Sequence, residues 1–151
     1  MTPFSFFVLE KTPLWKDFLL NKLRKTGEWE CLTVQSFTEI LERLEDFPDS
    51  LIVTELTSEN RNDFLPFILR VKNHFPKVRT AVYYPELMGR TQEEYQTAMI
   101  LLYQAGCIAV ITTFCGLAGL VEPISWHYCS LLSEEQSVTE RILSEAGKIR
   151  F

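Results

Sequence analysis

Five short apolar runs with β-strand character recur along the 151-residue chain, and segments with helical periodicity separate them. The runs cover residues 4–9, 29–34, 51–55, 78–84 and 107–114. Most are continuously apolar rather than alternating, which is typical of strands covered by helices on both faces of a sheet. Strands that alternate with helices pair in parallel through right-handed crossovers. The pattern therefore predicts a three-layer α/β/α sandwich around a five-stranded parallel sheet.

A helix is predicted after each of these runs. Apolar residues recur at helical spacing, as in residues 37–44, where they occupy positions 37, 40, 41 and 44. For the first helix, Thr12 is the expected N-cap and Pro13 the first helical residue. The last helix is expected to continue from Leu117 toward residue 132. Pro123 should kink it there, because an interior proline removes one backbone hydrogen bond.

The remaining residues are expected to form a small extension. Residues 137–140 have the spacing of a capping box, and they are followed by a short stripe of apolar residues. A chain of this length suits one domain better than two. The sequence therefore predicts an α/β domain over residues 1–132 and a C-terminal helical extension over residues 133–151.

The charge and hydropathy of the sequence limit which partners and which cellular location can be expected. The net charge of −5 argues against a broad contact with nucleic acid. The 27 residues between Glu94 and Glu122 carry no charge, but polar residues and glycines interrupt them, so no membrane span is predicted. The N-terminus lacks the basic stretch of a signal peptide, and the four cysteines form no C-x-x-C pair. We therefore expect a cytoplasmic protein with reduced thiols.

The residues most suited to chemistry follow the ends of the predicted strands. In sheets of this kind, ligands bind at the carboxyl ends of the strands. That edge should present Glu10, Lys11, Glu55, Tyr84 and residues 112–115. No glycine-rich loop follows the first strand, so a nucleotide phosphate has no cradle there and no cofactor is expected.

Three segments resemble the receiver domain of bacterial response regulators, which has a CheY-like, flavodoxin-like fold. Residues 8–19 (VLEKTPLWKDFL) are similar to the first strand and helix of a receiver, where two acidic residues precede the helix. Residues 48–56 (PDSLIVTEL) resemble the strand with the phosphoacceptor aspartate, and residues 104–114 (QAGCIAVITTF) the strand that delivers a lysine. The resemblance covers residues 4–132 and implies the strand order 2-1-3-4-5.

Carried over to this chain, the family's acidic pair falls on Glu10 and Lys11. Its phosphoacceptor falls on Glu55, or on Thr54 if Ser50 is not an insertion. The hydroxyl at the end of the fourth strand becomes Tyr84, and the lysine becomes Thr113.

Receiver chemistry needs clustered carboxylates that hold Mg²⁺, a carboxylate nucleophile and a lysine that neutralises the phosphoryl group. Here Lys11 places a positive charge where the metal would bind, and Thr113 supplies none where the phosphoryl group would lie. The resemblance therefore implies a degenerate pseudo-receiver with no catalytic residue and no metal, which acts as a phosphorylation-independent signalling or protein-interaction module.

Glu55 has three interpretations at this stage. It could imitate a phosphoryl group and hold an active-like state, or it could remain a weak phosphoswitch. We favour an ion pair of Lys11 with Glu55 or with Glu10, which is worth less than about 1 kcal/mol at an exposed site.

Cys115 suggests an alternative function, a thiol-dependent enzyme or a redox sensor. At the start of the last predicted helix, the helix dipole would favour the thiolate. The base that such chemistry needs is missing, because His127 would lie about 18 Å along the same helix. A half-buried structural thiol is therefore the preferred interpretation.

Large aromatic side chains mark a possible interface. In the family, the fourth helix, fifth strand and fifth helix form the face that dimerises or binds partners, and here that face is the uncharged stretch. Large aromatic side chains anchor protein interfaces. Those in or next to this stretch are Tyr95, Tyr103, Phe114, Trp126 and Tyr128. We expect a protein partner or a homodimer to use this face, so that a signal leaves by non-covalent contact.

Overall fold

The computed structural model describes residues 4–131, and within them five strands form one parallel sheet in the order β2-β1-β3-β4-β5. The strands are β1 (Phe4–Leu9), β2 (Trp29–Val34), β3 (Leu51–Glu55), β4 (Arg79–Tyr83) and β5 (Cys107–Ile111). This architecture confirms the predicted α/β/α sandwich and its strand order.

Helices cover both faces of the sheet. The α-helices are α1 (Trp15–Leu23), α2 (Phe37–Arg43), α3 (Arg61–His74), α4 (Gln92–Gln104) and α5, which covers residues 121–131 of the described chain. Two 3₁₀ segments, Pro85–Gly89 and Cys115–Leu120, precede α4 and α5. Helices α2, α3 and α4 pack on one face, and α1 and α5 pack on the other. No helix in this part of the chain is long and apolar enough to cross a membrane.

The two faces of the sheet bury separate apolar clusters. Phe7 and Leu9 of β1 belong to the cluster under α2, α3 and α4, whereas Phe6 and Val8 belong to the cluster under α1 and α5. All four side chains are buried. Successive residues of a strand point to opposite faces, so a strand covered on both sides must be apolar throughout.

Helix α1 begins two residues later than predicted. Leu14 occupies the N-cap position with a positive φ of 88°, and Thr12 and Pro13 precede the helix instead of starting it. The side chain of Glu10 caps the first turn of the helix, because its Oε2 accepts the backbone N–H of Lys16 over 2.8 Å. Thr12 is not the cap because it lies two residues before the N-cap position, and its hydroxyl bonds to another residue, as described below.

The segment after β5 also differs from the prediction. Strand β5 ends at Ile111, and the chain forms a 3₁₀ segment before α5 begins. Pro123 therefore lies in the first turn of α5, where its missing N–H has no partner to lose and a kink is not required. The predicted boundary at residue 132 and the helical extension over residues 133–151 lie outside the described residues.

Candidate functional site

Glu55 is a buried carboxylate at the carboxyl end of β3, with a side chain 0% exposed. The backbone N–H groups of Lys11 and Thr12 each donate to its Oε1 over 2.8 Å. The Trp15 indole N–H donates to the same oxygen over 2.7 Å, and the Thr12 hydroxyl donates to Oε2 over 2.6 Å. Four donors therefore surround the carboxylate.

The donors all come from the β1–α1 connection and the first residue of α1. Removing a carboxylate from water is costly unless hydrogen bonds replace its solvation, and bonds to a charged acceptor are the strong ones. The connection wraps around Glu55 for this reason. The arrangement acts as a clamp that joins the end of β3 to the start of α1, and we call these four residues (Lys11, Thr12, Trp15 and Glu55) the Glu55 clamp.

The predicted ion pair of Lys11 is wrong. Lys11 contacts Glu55 through its backbone N–H, while its Nζ donates to the backbone carbonyl of Gln35 over 3.3 Å. Among residues 4–131 the ammonium forms no salt bridge with Glu55 or with Glu10. The geometry explains the difference, since the side chain of Lys11 leaves the loop toward β2 and its amide faces β3.

Glu10 has a structural role in place of the metal-binding role of the family's acidic pair. Its Oε2 accepts the N–H of Lys16 in the first turn of α1. A carboxylate at a helix N-terminus satisfies a free amide and interacts favourably with the helix dipole. No group of three or more His, Cys, Asp or Glu side chains between residues 4 and 131 could hold a metal ion.

Tyr83, rather than Tyr84, lies opposite Glu55 in the sheet. Its ring packs on Trp15 with the centroids 5.5 Å apart, within the same apolar cluster. Burial, together with the charge of Glu55, raises the pKa of the Tyr83 hydroxyl. Tyr84 points to the other face of the sheet and belongs to the cluster under α2, α3 and α4. Tyr84 was predicted for this edge, whereas its neighbour Tyr83 is the residue that lies beside Glu55 and Trp15.

Thr113 and Cys115 lie in the connection that follows β5. The exposed Thr113 accepts the N–H of Gly116 on its Oγ1 over 3.0 Å, so its side chain stabilises the 3₁₀ segment. Cys115 is exposed and starts that six-residue segment instead of an α-helix. His127 hydrogen-bonds the carbonyl of Asp49 over 2.8 Å. The hypothesis of a reactive Cys115 stays a prediction.

The five aromatic residues predicted for an interface are not all exposed. Trp126 is 68% exposed, and Tyr103 and Phe114 are also exposed. Tyr95 is half-buried against the cluster under α4. Tyr128 is buried and packs on Trp29 with the ring centroids 5.4 Å apart, so its assignment to an interface is wrong.

Exposed Tyr103 also contacts the edge of the sheet. Its hydroxyl accepts the backbone N–H of Val110 in β5 over 3.3 Å. Strand β5 is the last strand of the sheet, and unpaired edge groups are open to pairing with another chain. The side chain of Tyr103 therefore covers part of that edge.

Three residues of the site were not predicted as site residues from the sequence, namely Thr12, Trp15 and Asn60. Asn60 holds the β3–α3 connection, because its Nδ2 donates to the carbonyl of Glu55 and its Oδ1 accepts the N–H of Thr57. One feature of the sequence could have indicated them, because a glutamate at the end of a buried strand needs hydrogen-bond donors nearby. The spacing alone could not say which residues supply them.

Comparisons with known proteins show which solved structures share this fold. No protein-family profile and no curated protein matches this sequence. A response regulator from Thermotoga maritima superposes with a TM-score of 0.65 at 17% identity, over 83% of this chain and 98% of that chain. The CheY-like protein TadZ from Pseudomonas aeruginosa superposes with a TM-score of 0.58 at 18% identity, over 80% of this chain and 98% of that chain. The signal receiver domain of NarL from Mycobacterium tuberculosis gives 0.56 at 12% identity, over 82% and 96%. The chain therefore has the fold of the response-regulator receiver domain.

Proposed function

We propose that this protein is a receiver-fold signalling module that binds a protein partner or a second copy, without phosphorylation and without catalysis. The observation that carries the proposal is the Glu55 clamp. The residue at the phosphoacceptor position is buried, and its carboxylate accepts four hydrogen bonds within its own chain.

A phosphoryl acceptor needs an accessible oxygen in line with the leaving group, and catalysis is sensitive to misplacement of about 1 Å. Glu55 offers no accessible oxygen, since its side chain is 0% exposed. To expose the carboxylate, the Thr12 and Trp15 side chains would have to lose their hydrogen bonds to it. The clamp therefore opposes the chemistry that an aspartate supports at this position.

The neighbouring charges support the same proposal. Divalent cations in such sites need clustered carboxylates, and the Glu10 carboxylate is used at the start of α1. The Lys11 ammonium bonds to Gln35, and Thr113 brings no positive charge to the end of β5. A divalent cation would therefore lack its clustered carboxylates, and a transferred phosphoryl group would lack a positive side chain to neutralise it.

Incubation with acetyl phosphate and MgCl₂ tests the proposal. We expect intact-mass spectrometry to detect no phosphoryl adduct and the tryptophan fluorescence of the protein to stay unchanged. Glu55→Asp serves as the matched variant, because it restores the shorter carboxylate but not the counter-charges, and it should also remain unmodified. A Mg²⁺-dependent adduct that Glu55→Gln abolishes would contradict the proposal.

The surface proposed for binding partners is the face of α4, β5 and α5. Exposed apolar side chains support it, with Ile100 57% and Tyr103 47% exposed on α4 and Trp126 on α5. Large apolar groups of this kind are enriched at protein interfaces. The acidic net charge supports a protein rather than nucleic acid as the partner, and a cytoplasmic location is part of the proposal.

A further inference from the structure

A cleft of about 450 Å³ opens between α2 and α3, beside the carboxyl end of β1. Strand β1 has β2 on one side and β3 on the other, so the direction in which successive strands are added to the sheet reverses at β1. In open α/β sheets, ligands bind in the crevice outside the strand ends at such a switch point. The volume falls in the range of pockets that bind small molecules. The Glu55 side chain points to the other face of the sheet and does not line the cleft.

One wall of the cleft is apolar and includes the partly buried ring of Phe37, with the buried ring of Phe67 stacked against it. The rings of Phe37 and Phe67 stack almost parallel, with centroids 4.6 Å apart and an interplanar angle of 16°. Leu9 and Leu41 extend this apolar surface toward the sheet and along α2. Aromatic groups favour offset stacking on such a surface, so a flat ring system fits it best.

The rim of the cleft carries two positive side chains and one negative side chain. Lys11, Arg70 and Asp63 all line the cleft, and their charges sum to +1 on a protein whose net charge is −5. The guanidinium of Arg70 forms no hydrogen bond or ion pair with residues 4–131. Arg70 lies seven residues after Asp63 on α3, about 10 Å along the helix axis. A ligand that reaches Arg70 must therefore extend along the cleft.

One hydrogen bond orients the ammonium of Lys11. The ammonium donates to the carbonyl of Gln35, and the N–H of Gln35 donates to Oε2 of Glu39 over 2.8 Å. Further N–H donors remain on the ammonium, since it carries three. The backbone of Lys11 is fixed independently by the Glu55 clamp. Preorganisation of this kind lowers the entropic cost of binding.

We propose that this cleft binds a small organic anion that contains a flat aromatic ring system. The ring packs against Phe37, and the anionic group pairs with the guanidinium of Arg70, which favours carboxylate, sulfonate or phosphate groups. Lys11 adds a second positive charge at the sheet end, and Asp63 accepts a hydrogen bond from a donor on the ligand.

Two fluorescent probes that differ by one anionic group test the proposal. 8-Anilinonaphthalene-1-sulfonate carries the sulfonate, and N-phenyl-1-naphthylamine has the same rings without it. We expect Lys11→Gln and Arg70→Gln each to raise the Kd of the sulfonate at least fivefold and to leave the Kd of the neutral probe unchanged. Phe37→Leu should weaken both probes.

Lys72→Gln is the matched control, because Lys72 lies on α3 but approaches Gly106, away from the cleft. It should leave both affinities unchanged. In NMR spectra, 8-anilinonaphthalene-1-sulfonate should shift the amide resonances of residues 35–38 and 63–70. Equal affinity for all variants, or shifts confined to residues 119–131, would overturn the proposal. The proposed function does not depend on this result, since the Glu55 carboxylate takes no part in the cleft.

Discussion

At the scale of single residues, Glu55 determines how the β1–α1 connection is arranged. The connection has no regular structure from Glu10 to Leu14, and Leu14 adopts a positive φ that is uncommon outside glycine. Backbone strain of this kind persists only where surrounding contacts impose it. The hydrogen bonds of Lys11, Thr12 and Trp15 to one carboxylate supply those contacts.

Replacing this carboxylate should destabilise the protein. Glu55→Gln places an NH₂ group where one oxygen accepted hydrogen bonds, so at least one buried donor loses its partner. We expect the free energy of unfolding in urea to fall by about 1–3 kcal/mol. Glu59→Gln is the control, because Glu59 is exposed on the following connection. An unchanged midpoint for Glu55→Gln would show that the clamp contributes nothing to stability.

The Thr12 hydroxyl should act through the same carboxylate. Thr12→Val keeps the shape of the side chain and removes the donor to Oε2. We expect a loss of about 1 kcal/mol in the unfolding free energy. In the double variant with Glu55→Gln, the two losses should not add, because residues in one hydrogen-bond network are coupled. Strict additivity in urea denaturation would contradict a shared network.

The position of Glu55 could be predicted from the sequence, and its partners could not. The apolar run before Glu55 locates the end of β3, and a parallel sheet brings that end beside the end of β1. Three of the four hydrogen bonds come from Lys11 and Thr12, whose orientation depends on an irregular loop. Periodicity carries no information about such a loop, which explains why the Lys11 ion pair was predicted in place of the backbone contact.

At the scale of secondary structure elements, fully buried strands were the most predictable. The bounds of β1 and β3 agree with the prediction, because the need to bury both faces leaves a continuous apolar signal. The bounds of the edge strand β2 also agree, although only Leu32 and Val34 of this strand are buried. The segment after β5 was less predictable. Apolar residues three positions apart lie on one side of both a 3₁₀ segment and an α-helix. Leu117 and Leu120 therefore suggested the start of an α-helix, although they belong to the 3₁₀ segment.

Helix α5 is attached to the start of β3 through His127, and this attachment should depend on pH. The imidazole Nε2–H donates to the carbonyl of Asp49. Burial lowers the pKa of His127 below its ordinary value of 6.5, and the hydrogen bond to Asp49 opposes this only in part. Below about pH 6.5 the unfolded chain therefore binds more protons at this residue than the folded chain. His127 should make the protein less stable as the pH falls from this value toward the lower folded pKa.

The variant His127→Gln isolates this contribution. Its amide can donate to the same carbonyl but does not titrate, so unfolding free energies measured between pH 8 and pH 5 should fall less steeply than in the parent protein. At pH 8 the two proteins should have similar stability. Parallel pH profiles would show that His127 is not the group responsible.

At the scale of the whole molecule, the distribution of exposed apolar side chains constrains how a signal could leave the domain. Ile100, Leu101 and Tyr103 are exposed on α4, Trp126 on α5, and Leu65 and Leu69 on α3. Scattered apolar residues are normal on protein surfaces, whereas an interface depends on a few large anchors. Trp126 is the largest of these side chains, and it lines a groove with Arg79 and Ile108 beside the edge strand β5.

Sedimentation equilibrium should therefore detect a concentration-dependent dimer that Trp126→Ala weakens. Truncating an anchor at the centre of an interface typically costs about 2 kcal/mol or more, which raises a dissociation constant roughly thirtyfold. Leu69→Ala is the matched control, because Leu69 is 56% exposed on α3, away from the α4, β5 and α5 face. Loss of association in both variants would indicate non-specific contact between apolar surfaces. A strict monomer at tens of micromolar would contradict self-association and leave a different protein as the partner of this face.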